Sequence, residues 1–248
     1  MTDQDGGDTD DGRMTLVEHL TELRRRIIIC FVAIMVAAIV AFIFSDHIIH
    51  FLVGPYKDIK RPAGVPSTLI ATDPLAPFLV RLKVATYGGV VLALPVWLWQ
   101  LWRFVTPGLH KHEKRYAIPF IATSIVLFLA GGFVAWVTLP KALGFLASIG
   151  GSDITPFFTA DKYLALVSLM IVAFGLSFEF PVLLVFLLLV GVLKTGTLSR
   201  GRRWAAVGIT TFAAVITPSQ DPYSLMFMAI PMYLFYEASI VIGKLMKK

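Results

Sequence analysis

The sequence predicts an all-α integral membrane protein with six transmembrane helices and both termini in the cytoplasm. Of its 248 residues, 57% are hydrophobic and only 15% are charged, against about 25% charged residues in an average soluble domain. The apolar residues form runs long enough to cross a bilayer, and the basic residues concentrate in alternate segments between those runs. These observations indicate lipid as the solvent and argue against nucleic acid, which a net charge of +6 would suggest for a soluble protein.

Six apolar runs approach the roughly 20 residues that a helix needs to cross about 30 Å of hydrocarbon. They form one transmembrane domain over residues 14–243, preceded by a disordered acidic tail at 1–13 and followed by a basic cytoplasmic tail at 244–248. The six predicted spans are residues 27–44, 84–102, 116–140, 163–193, 204–218 and 223–243.

Two of these spans depart from the usual length. The fifth run has 15 residues, which gives about 22 Å of helix. We therefore expect the fifth and sixth spans to form a short hairpin that thins the bilayer or leans on neighbouring helices. The fourth run has 31 residues, and Gly175 and Pro181 near its middle predict a kink, because proline removes a backbone donor.

The basic residues indicate the orientation. Fifteen of the 22 Lys and Arg residues lie in the N-terminal segment, in the loops after the second and fourth spans, and at the C-terminus, whereas seven lie on the opposite side. Basic residues concentrate on the cytoplasmic side of membrane proteins, so both termini are predicted to be cytoplasmic and the number of spans to be even. The outer segments 45–81 and 141–162 contain many prolines and glycines, and we expect them to form an external cap.

Two cytoplasmic carboxylates lie among basic residues. Glu22 belongs to an amphipathic segment, residues 14–26, which we expect to form a helix on the inner membrane surface before the chain turns into the first span. Glu113 is the acid of the second cytoplasmic segment, residues 103–115. Each is a candidate acceptor for a guanidinium, which a carboxylate binds through two parallel hydrogen bonds. The alternatives are an ion pair of Glu22 with Arg26 one turn later and a solvated Glu113.

Three further acids lie within or beside the apolar runs. Glu179 is near the middle of the fourth run, where an ionised carboxylate is costly and usually functional; a hydrogen-bonded structural group is the alternative. Glu237 is closer to the inner end of the sixth run, and Asp221 with Pro222 predicts a helix N-cap after the tight outer turn. The sequence has no metal-ligand spacing and no catalytic motif, so no catalytic residue, metal or cofactor is predicted.

Five short motifs follow one another between Leu16 and Gly243. They are HLTELR from His19, ATDPLAPF from Ala71, FVTPGL from Phe104 with KHEKR from Lys111, FGLSFEFP from Phe174, and TP from Thr217 with AIPMY from Ala229. In this order they resemble the TatC family, the multispanning receptor component of the twin-arginine protein translocase. The outer turn departs from the family's common Thr-Pro-Pro-Asp form, because its acid, Asp221, arrives one residue later.

The resemblance implies a receptor rather than an enzyme. Such a receptor binds the twin-arginine signal peptides of folded cargo proteins, and by position Glu22 and Glu113 would be the carboxylate partners of the two arginines. Lysine would be a poorer ligand there, because it lacks the planar fork of donors. The other residues of this signal-peptide site would be His19, Arg24, Phe104, Pro107 and Leu109.

The resemblance also implies partners and a location. The partners would be TatA- and TatB-like membrane subunits, other copies of the same chain and membrane lipid, in the plasma membrane, with transport driven by the proton-motive force. Glu179 matches the family's intramembrane glutamate and would make contacts inside the translocase. The residues expected to have partner-contact or structural roles are Pro55, Asp221 and Glu237.

Two alternatives from other functional classes use the same acids. An ion-coupled secondary transporter of a small solute would bind protons or ions at Glu179 and Glu237. An intramembrane enzyme would need Glu179 and Asp221 as a catalytic pair, although their predicted depths in the membrane differ. The order of the five motifs favours the receptor over both alternatives.

Overall fold

The computed structural model describes residues 16–57, 68–105, 117–149 and 158–246. Within these ranges the regular secondary structure is helical, apart from an isolated parallel β-bridge between Ile70 and Thr159, and turns or short irregular segments connect the helices. The helices are α1 (Leu16–Ile43), α2 (Ser45–Lys57), α3 (Ala76–Leu92), α4 (Leu94–Val105), α5 (Ala117–Ile149), α6 (Ala160–Ser177), α7 (Phe180–Leu189), α8 (Thr195–Arg200), α9 (Arg202–Ile216) and α10 (Pro222–Leu245).

The long apolar helices confirm the all-α membrane class, with four to five spans among the described residues. The bent pair α3–α4 is the fifth if it counts as one span. Helix α9 has 15 residues, about 22 Å, and falls short of the hydrocarbon thickness. The predicted fifth span, and with it the total of six, therefore stays a prediction. The orientation of the termini also stays a prediction. The four long segments are Val17–Ile43, Ile118–Ile149, Ala160–Leu189 and Pro222–Leu245.

The second predicted span is bent rather than straight. We expected one helix over residues 84–102, but α3 already begins at Ala76, and α4 follows it after Ala93 with a bend of 50°. Pro95 explains the bend, because it has no N–H to donate and its ring clashes with the carbonyl of Val91 in a straight helix. The outer segment before this span is accordingly more helical than its prolines suggested.

The predicted kink in the fourth span is present as a short break. Helix α6 ends at Ser177 and α7 begins at Phe180, directly before Pro181. A break inside lipid leaves backbone groups that need partners. At the α3–α4 break this need is met in part by the indole N–H of Trp97, which donates to the carbonyl of Val90 at 3.1 Å.

Two helices extend further than predicted. Helix α5 continues through Pro140 to Ile149, although we expected the third span to end at Pro140 and an outer segment to begin at Lys141. A proline inside a helix removes one hydrogen bond, and the neighbouring turns carry the helix onward. Helix α10 has 24 residues, about 36 Å, so the expected short sixth span is wrong. Its last turn includes Lys244, which lies beyond the predicted span.

Helix α1 is continuous over 28 residues. We expected its first part to lie separately on the membrane surface and then turn into the first span, but the helix has no break between Leu16 and Ile43. The segment contains no proline and no glycine, so nothing in it ends or bends the helix. The polar first turns of α1 and the predicted first span therefore form one continuous helix.

Small residues let the spans approach closely. A Cβ on Gly131 of α5 would lie 2.5 Å from the carbonyl oxygen of Phe174 on α6. A Cβ on Gly89 of α3 would lie 2.7 Å from the Cβ of Ala38 on α1. Close backbone approach is common between helices in lipid, where van der Waals packing replaces the hydrophobic effect as the cause of association.

At each end of the bundle, a tyrosine hydroxyl donates a hydrogen bond to a backbone carbonyl of another helix. At the distal end, which α1 reaches at Ile43, the Tyr163 hydroxyl donates to the Leu52 carbonyl at 3.0 Å, close to the β-bridge. At the proximal end, where α1 begins, the Tyr236 hydroxyl donates to the Leu198 carbonyl at 2.7 Å. The β-bridge joins the described parts of the two segments, 45–81 and 141–162, that we expected to form a cap.

We expect Gly131→Ala to destabilise the protein and Gly144→Ala, on the same helix, not to do so. The new methyl at 131 collides with the α6 backbone, and such overpacking costs about 1–3 kcal/mol. Within the part of the chain that the structure describes, a Cβ at 144 meets no atom within 4 Å, so alanine there adds helix propensity alone. Thermal unfolding of the purified variants in detergent measures the difference, and equal unfolding temperatures would contradict the close α5–α6 approach.

Candidate functional site

Two contacts hold the first turns of α1 against the last turns of α4. The imidazole of His19 stacks on the ring of Phe104, with centroids 4.4 Å apart and an interplanar angle of 21°. About two turns further along α1, the guanidinium of Arg26 donates to the Oε1 atom of Gln100 at 3.2 Å. These four side chains, with Glu22 between them, form what we call the Glu22 site, next to the end of α4 at Val105.

Glu22 is the acid of this site, and it is half buried. Its carboxylate pairs with the guanidinium of Arg26 one turn later, which confirms the ion pair that was the structural alternative. The side chains of Glu22 and Arg26 are 21% and 12% exposed. The second carboxylate oxygen, Oε2, has no hydrogen-bond partner among the described residues. The pair therefore leaves one buried acceptor oxygen without a donor among the described residues, and an unsatisfied buried acceptor costs free energy.

The structure brings together some of the predicted signal-peptide residues. His19, Glu22 and Phe104 lie side by side across α1 and α4. Arg24 lies on the same helix but is exposed. The remaining predicted residues, Glu113, Pro107 and Leu109, lie outside the described residues.

Sequence reasoning missed the residue that anchors this site on α4. Gln100 is a neutral polar residue inside an apolar run, and it received no role from the sequence. Its position in that run was the available signal, because an amide in a membrane helix needs a hydrogen-bond partner. The amide oxygen accepts from Arg26, so Gln100 orients the guanidinium that in turn holds Glu22.

Glu179 lies at the break between α6 and α7, beside a mostly apolar cavity of about 260 Å³. The cavity is lined by residues of α4, α5, α6 and α7, including Trp102 and Ser124. The Ser124 hydroxyl hydrogen-bonds to the Glu179 carboxyl group. The Oε1 atom of Glu179 has no hydrogen-bond partner among the described residues. The described residues therefore leave one buried oxygen of this carboxyl group without a hydrogen-bond donor.

Both carboxylate oxygens of Asp221 accept hydrogen bonds within its own turn, and the predicted N-cap is confirmed. Its Oδ1 accepts from the backbone N–H of Ser224 at 2.8 Å, and its Oδ2 accepts from the Ser219 hydroxyl at 2.5 Å. The side chain is buried at 1% exposure. Gln220, just before it, takes φ 49° in the left-handed region, which tightens the turn into α10. Because both carboxylate oxygens are engaged, Asp221 is a poor candidate for one half of a catalytic pair.

Glu237 and Pro55 also have structural contacts. Both carboxylate oxygens of Glu237 contact the Arg202 guanidinium at 2.9 Å, and the Tyr233 hydroxyl donates to Glu237 at 3.4 Å. This pair joins the start of α9 to the second half of α10. Pro55 is buried within the last turn of α2. Among the described residues, no group of three or more His, Cys, Asp or Glu side chains is arranged to hold a metal ion.

Comparisons with known proteins agree with the motif order. The family model for the Sec-independent protein translocase protein TatC matches residues 18–231. The chain is 42% identical over 242 residues to TatC of Frankia casuarinae, covering 94% of this chain and 66% of that protein. It is 37% identical to TatC of Aquifex aeolicus, covering 94% and 95%. A crystal structure of the twin arginine translocase receptor TatC superposes with a TM-score of 0.75 at 36% identity, covering 93% of this chain and 100% of that chain.

We expect Asp221→Asn to retain the stability of the protein and Asp221→Ala to lose about 0.5–2 kcal/mol, because asparagine caps a helix as well as aspartate does and alanine cannot. Thermal unfolding in detergent measures both variants. Equal losses for asparagine and alanine would show that the negative charge matters and that the cap does not.

Proposed function

Because the chain belongs to the TatC family of Sec-independent protein translocase proteins, we propose that its Glu22 site recognises the signal peptides of exported proteins. The chain is a component of a protein translocase and not an enzyme. A solved relative is the twin arginine translocase receptor, so the proposed ligand is a peptide with two neighbouring arginines. The comparisons offer no support for the ion-coupled transporter, and that alternative is set aside.

The observation that carries this proposal is the free oxygen of Glu22. Its Oε2 atom has no partner among the described residues, while Oε1 is held by Arg26, which Gln100 orients. A carboxylate fixed in this way accepts hydrogen bonds from an arginine without first losing side-chain freedom. The fork of donors on arginine suits such an acceptor better than the single ammonium group of lysine.

We assign the second arginine to Glu113. Helix α4 ends at Val105 beside the Glu22 site, and the chain reaches Glu113 eight residues later. Eight residues span at most about 28 Å, so Glu113 stays within reach of a peptide bound at Glu22. His19 and Phe104 form an aromatic wall beside Glu22, and Arg24, Pro107 and Leu109 complete the proposed site.

The proposed orientation places the Glu22 site in the cytoplasm and the distal end of the bundle outside the plasma membrane. The asymmetry of Lys and Arg supports it, since fifteen of 22 lie on the side of the termini. Six spans then require α9 to cross as the fifth. Its 15 residues reach about 22 Å, so the bilayer beside α9 would be thinner than average.

We further propose that Glu179 is a docking point for the membrane helix of a TatA- or TatB-like subunit. The support is the buried Oε1 atom of Glu179, which has no hydrogen-bond partner among the described residues, beside a cavity of about 260 Å³ between membrane-spanning helices. A carboxyl group there binds a polar side chain of an incoming helix in an environment without competing water. Folded cargo, other copies of the chain and the proton-motive force complete the proposed translocation cycle.

We expect the double variant Glu22→Ala, Glu113→Ala to bind a twin-arginine signal peptide at least about tenfold more weakly than the wild type, because charge-assisted contacts at partly buried sites are worth 1.5 kcal/mol or more. Fluorescence anisotropy of a labelled peptide on the detergent-purified protein measures the affinity. Glu18→Ala, on the same helix, is the matched control and leaves the affinity unchanged. Undiminished binding by the double variant would exclude the proposed site.

We expect Glu179→Leu to abolish crosslinking to a partner helix and Glu179→Gln to retain part of it, because glutamine keeps the hydrogen-bonding groups. A photo-crosslinking side chain at Leu183, which lines the cavity and is 53% exposed, reports the contact. The same group at Phe133, 65% exposed and outside that lining, is the control. Equal crosslinking from position 183 in the wild type, Glu179→Leu and Glu179→Gln would contradict the docking role. We expect all three proteins to bind the signal peptide equally well.

A further inference from the structure

A second cavity, of about 520 Å³, lies between α5 and the first turns of α10 at the distal end of the bundle. It is separate from the Glu22 site and from the cavity beside Glu179, and neither use accounts for it. One wall is formed by Phe145 and Tyr223, whose rings meet edge to face with centroids 5.7 Å apart. The described residues that line it are Lys141, Gly144, Phe145, Ser148, Tyr223 and Phe227.

The chemistry of this cavity suits an anion with an apolar body. Lys141 is the charged residue among the described residues of the lining. Its ammonium group lies 5.0 Å from the centroid of the Phe227 ring and is exposed, so the ring fixes its position while N–H donors remain available. Tyr223, which is 45% exposed, adds a hydroxyl group, and the aromatic rings supply apolar surface.

The position of the cavity along α5 is that of a phospholipid headgroup. Lys141 lies 24 residues after Ala117, about 36 Å along the helix, just beyond a hydrocarbon core of about 30 Å. Below it, the surfaces of α5 and α10 present exposed apolar side chains such as Val137 and Ile230, which are 41% and 52% exposed. The anionic end of a lipid would therefore meet Lys141 while its acyl chains cover these surfaces.

Gly144 keeps this cavity open without a role in helix packing. A Cβ built at Gly144 meets no atom of the described residues within 4 Å, whereas one built at Gly131 on the same helix collides with α6. The space at Gly144 is thus free volume facing the membrane boundary. A larger side chain there would fill the cavity and leave the helix contacts as they are.

We propose that this cavity binds an anionic phospholipid, with the phosphate held by Lys141 and Tyr223 and the acyl chains lying along α5 and α10. The charge of Lys141, the aromatic wall and the depth of the cavity all fit this occupant. The alternative for Lys141 is a lysine that merely extends its ammonium group to the membrane surface, with no bound ligand.

Native mass spectrometry of the full chain in mild detergent, titrated with phosphatidylglycerol, tests the proposal. We expect Lys141→Gln to weaken the tightest lipid-binding event at least about fivefold, since one lysine contributes about 1 kcal/mol to anionic lipid binding. We expect Gly144→Leu to weaken it by at least about the same factor, because the leucine side chain would fill the cavity. The controls are Lys162→Gln, which removes another exposed charge at the distal end, and Gly208→Leu, which adds a leucine where no described residue lies within 4 Å. Both should bind as the wild type does.

Two further measurements distinguish the possible ligands of this cavity. Phosphatidylcholine should bind more weakly than phosphatidylglycerol to the wild type, and inorganic phosphate should not displace the lipid. Equal phosphatidylglycerol affinity in all five proteins would overturn the proposal, as would displacement by phosphate alone. If Gly144→Leu instead abolished co-purification of another membrane protein and left lipid binding unchanged, the occupant would be a protein and the lipid assignment would be wrong.

Discussion

The structure depends on the requirement that backbone N–H and C=O groups be paired inside lipid, where water cannot satisfy them. Helices meet this requirement locally, and the described spans break only where a proline removes a donor. Pro95 bends the second span, and the indole of Trp97 pairs a carbonyl at that bend. Pro181 interrupts the fourth span, and the same break places Glu179 beside the cavity between four helices. The proposed docking position therefore lies at a place where the helix is interrupted and backbone hydrogen bonds are lost.

Close packing of the spans depends on small residues rather than on hydrophobicity, because lipid tails are as apolar as the helices. Gly131 admits the backbone of α6, and Gly89 admits that of α1. By contrast, Gly144 and Gly208 face open space. Glycines in one chain therefore have two different functions, and their surroundings distinguish them. Those without neighbours mark surface that lipid or a partner is free to occupy.

The acids separate in the same way according to how many of their oxygens are already engaged. Asp221 uses both oxygens within its turn, and both oxygens of Glu237 face Arg202. Glu22 and Glu179 each keep one oxygen without a partner among the described residues. The first two acids stabilise the α9–α10 hairpin. The other two retain the capacity to bind, which is why the proposed receptor and docking roles fall on them.

The sequence by itself determined the features that depend on composition or on neighbours within one turn: the all-α membrane class, the Glu22–Arg26 pair, the Asp221 cap and the break near Pro181. Of the candidate site, it supplied His19, Glu22 and Phe104. Tertiary structure decided the continuation of α5 beyond Pro140, and it joined Arg26 to Gln100, 74 residues away. Periodicity and capping describe contacts a few residues apart, whereas which distant helices meet depends on packing, and packing leaves no mark in a local sequence pattern.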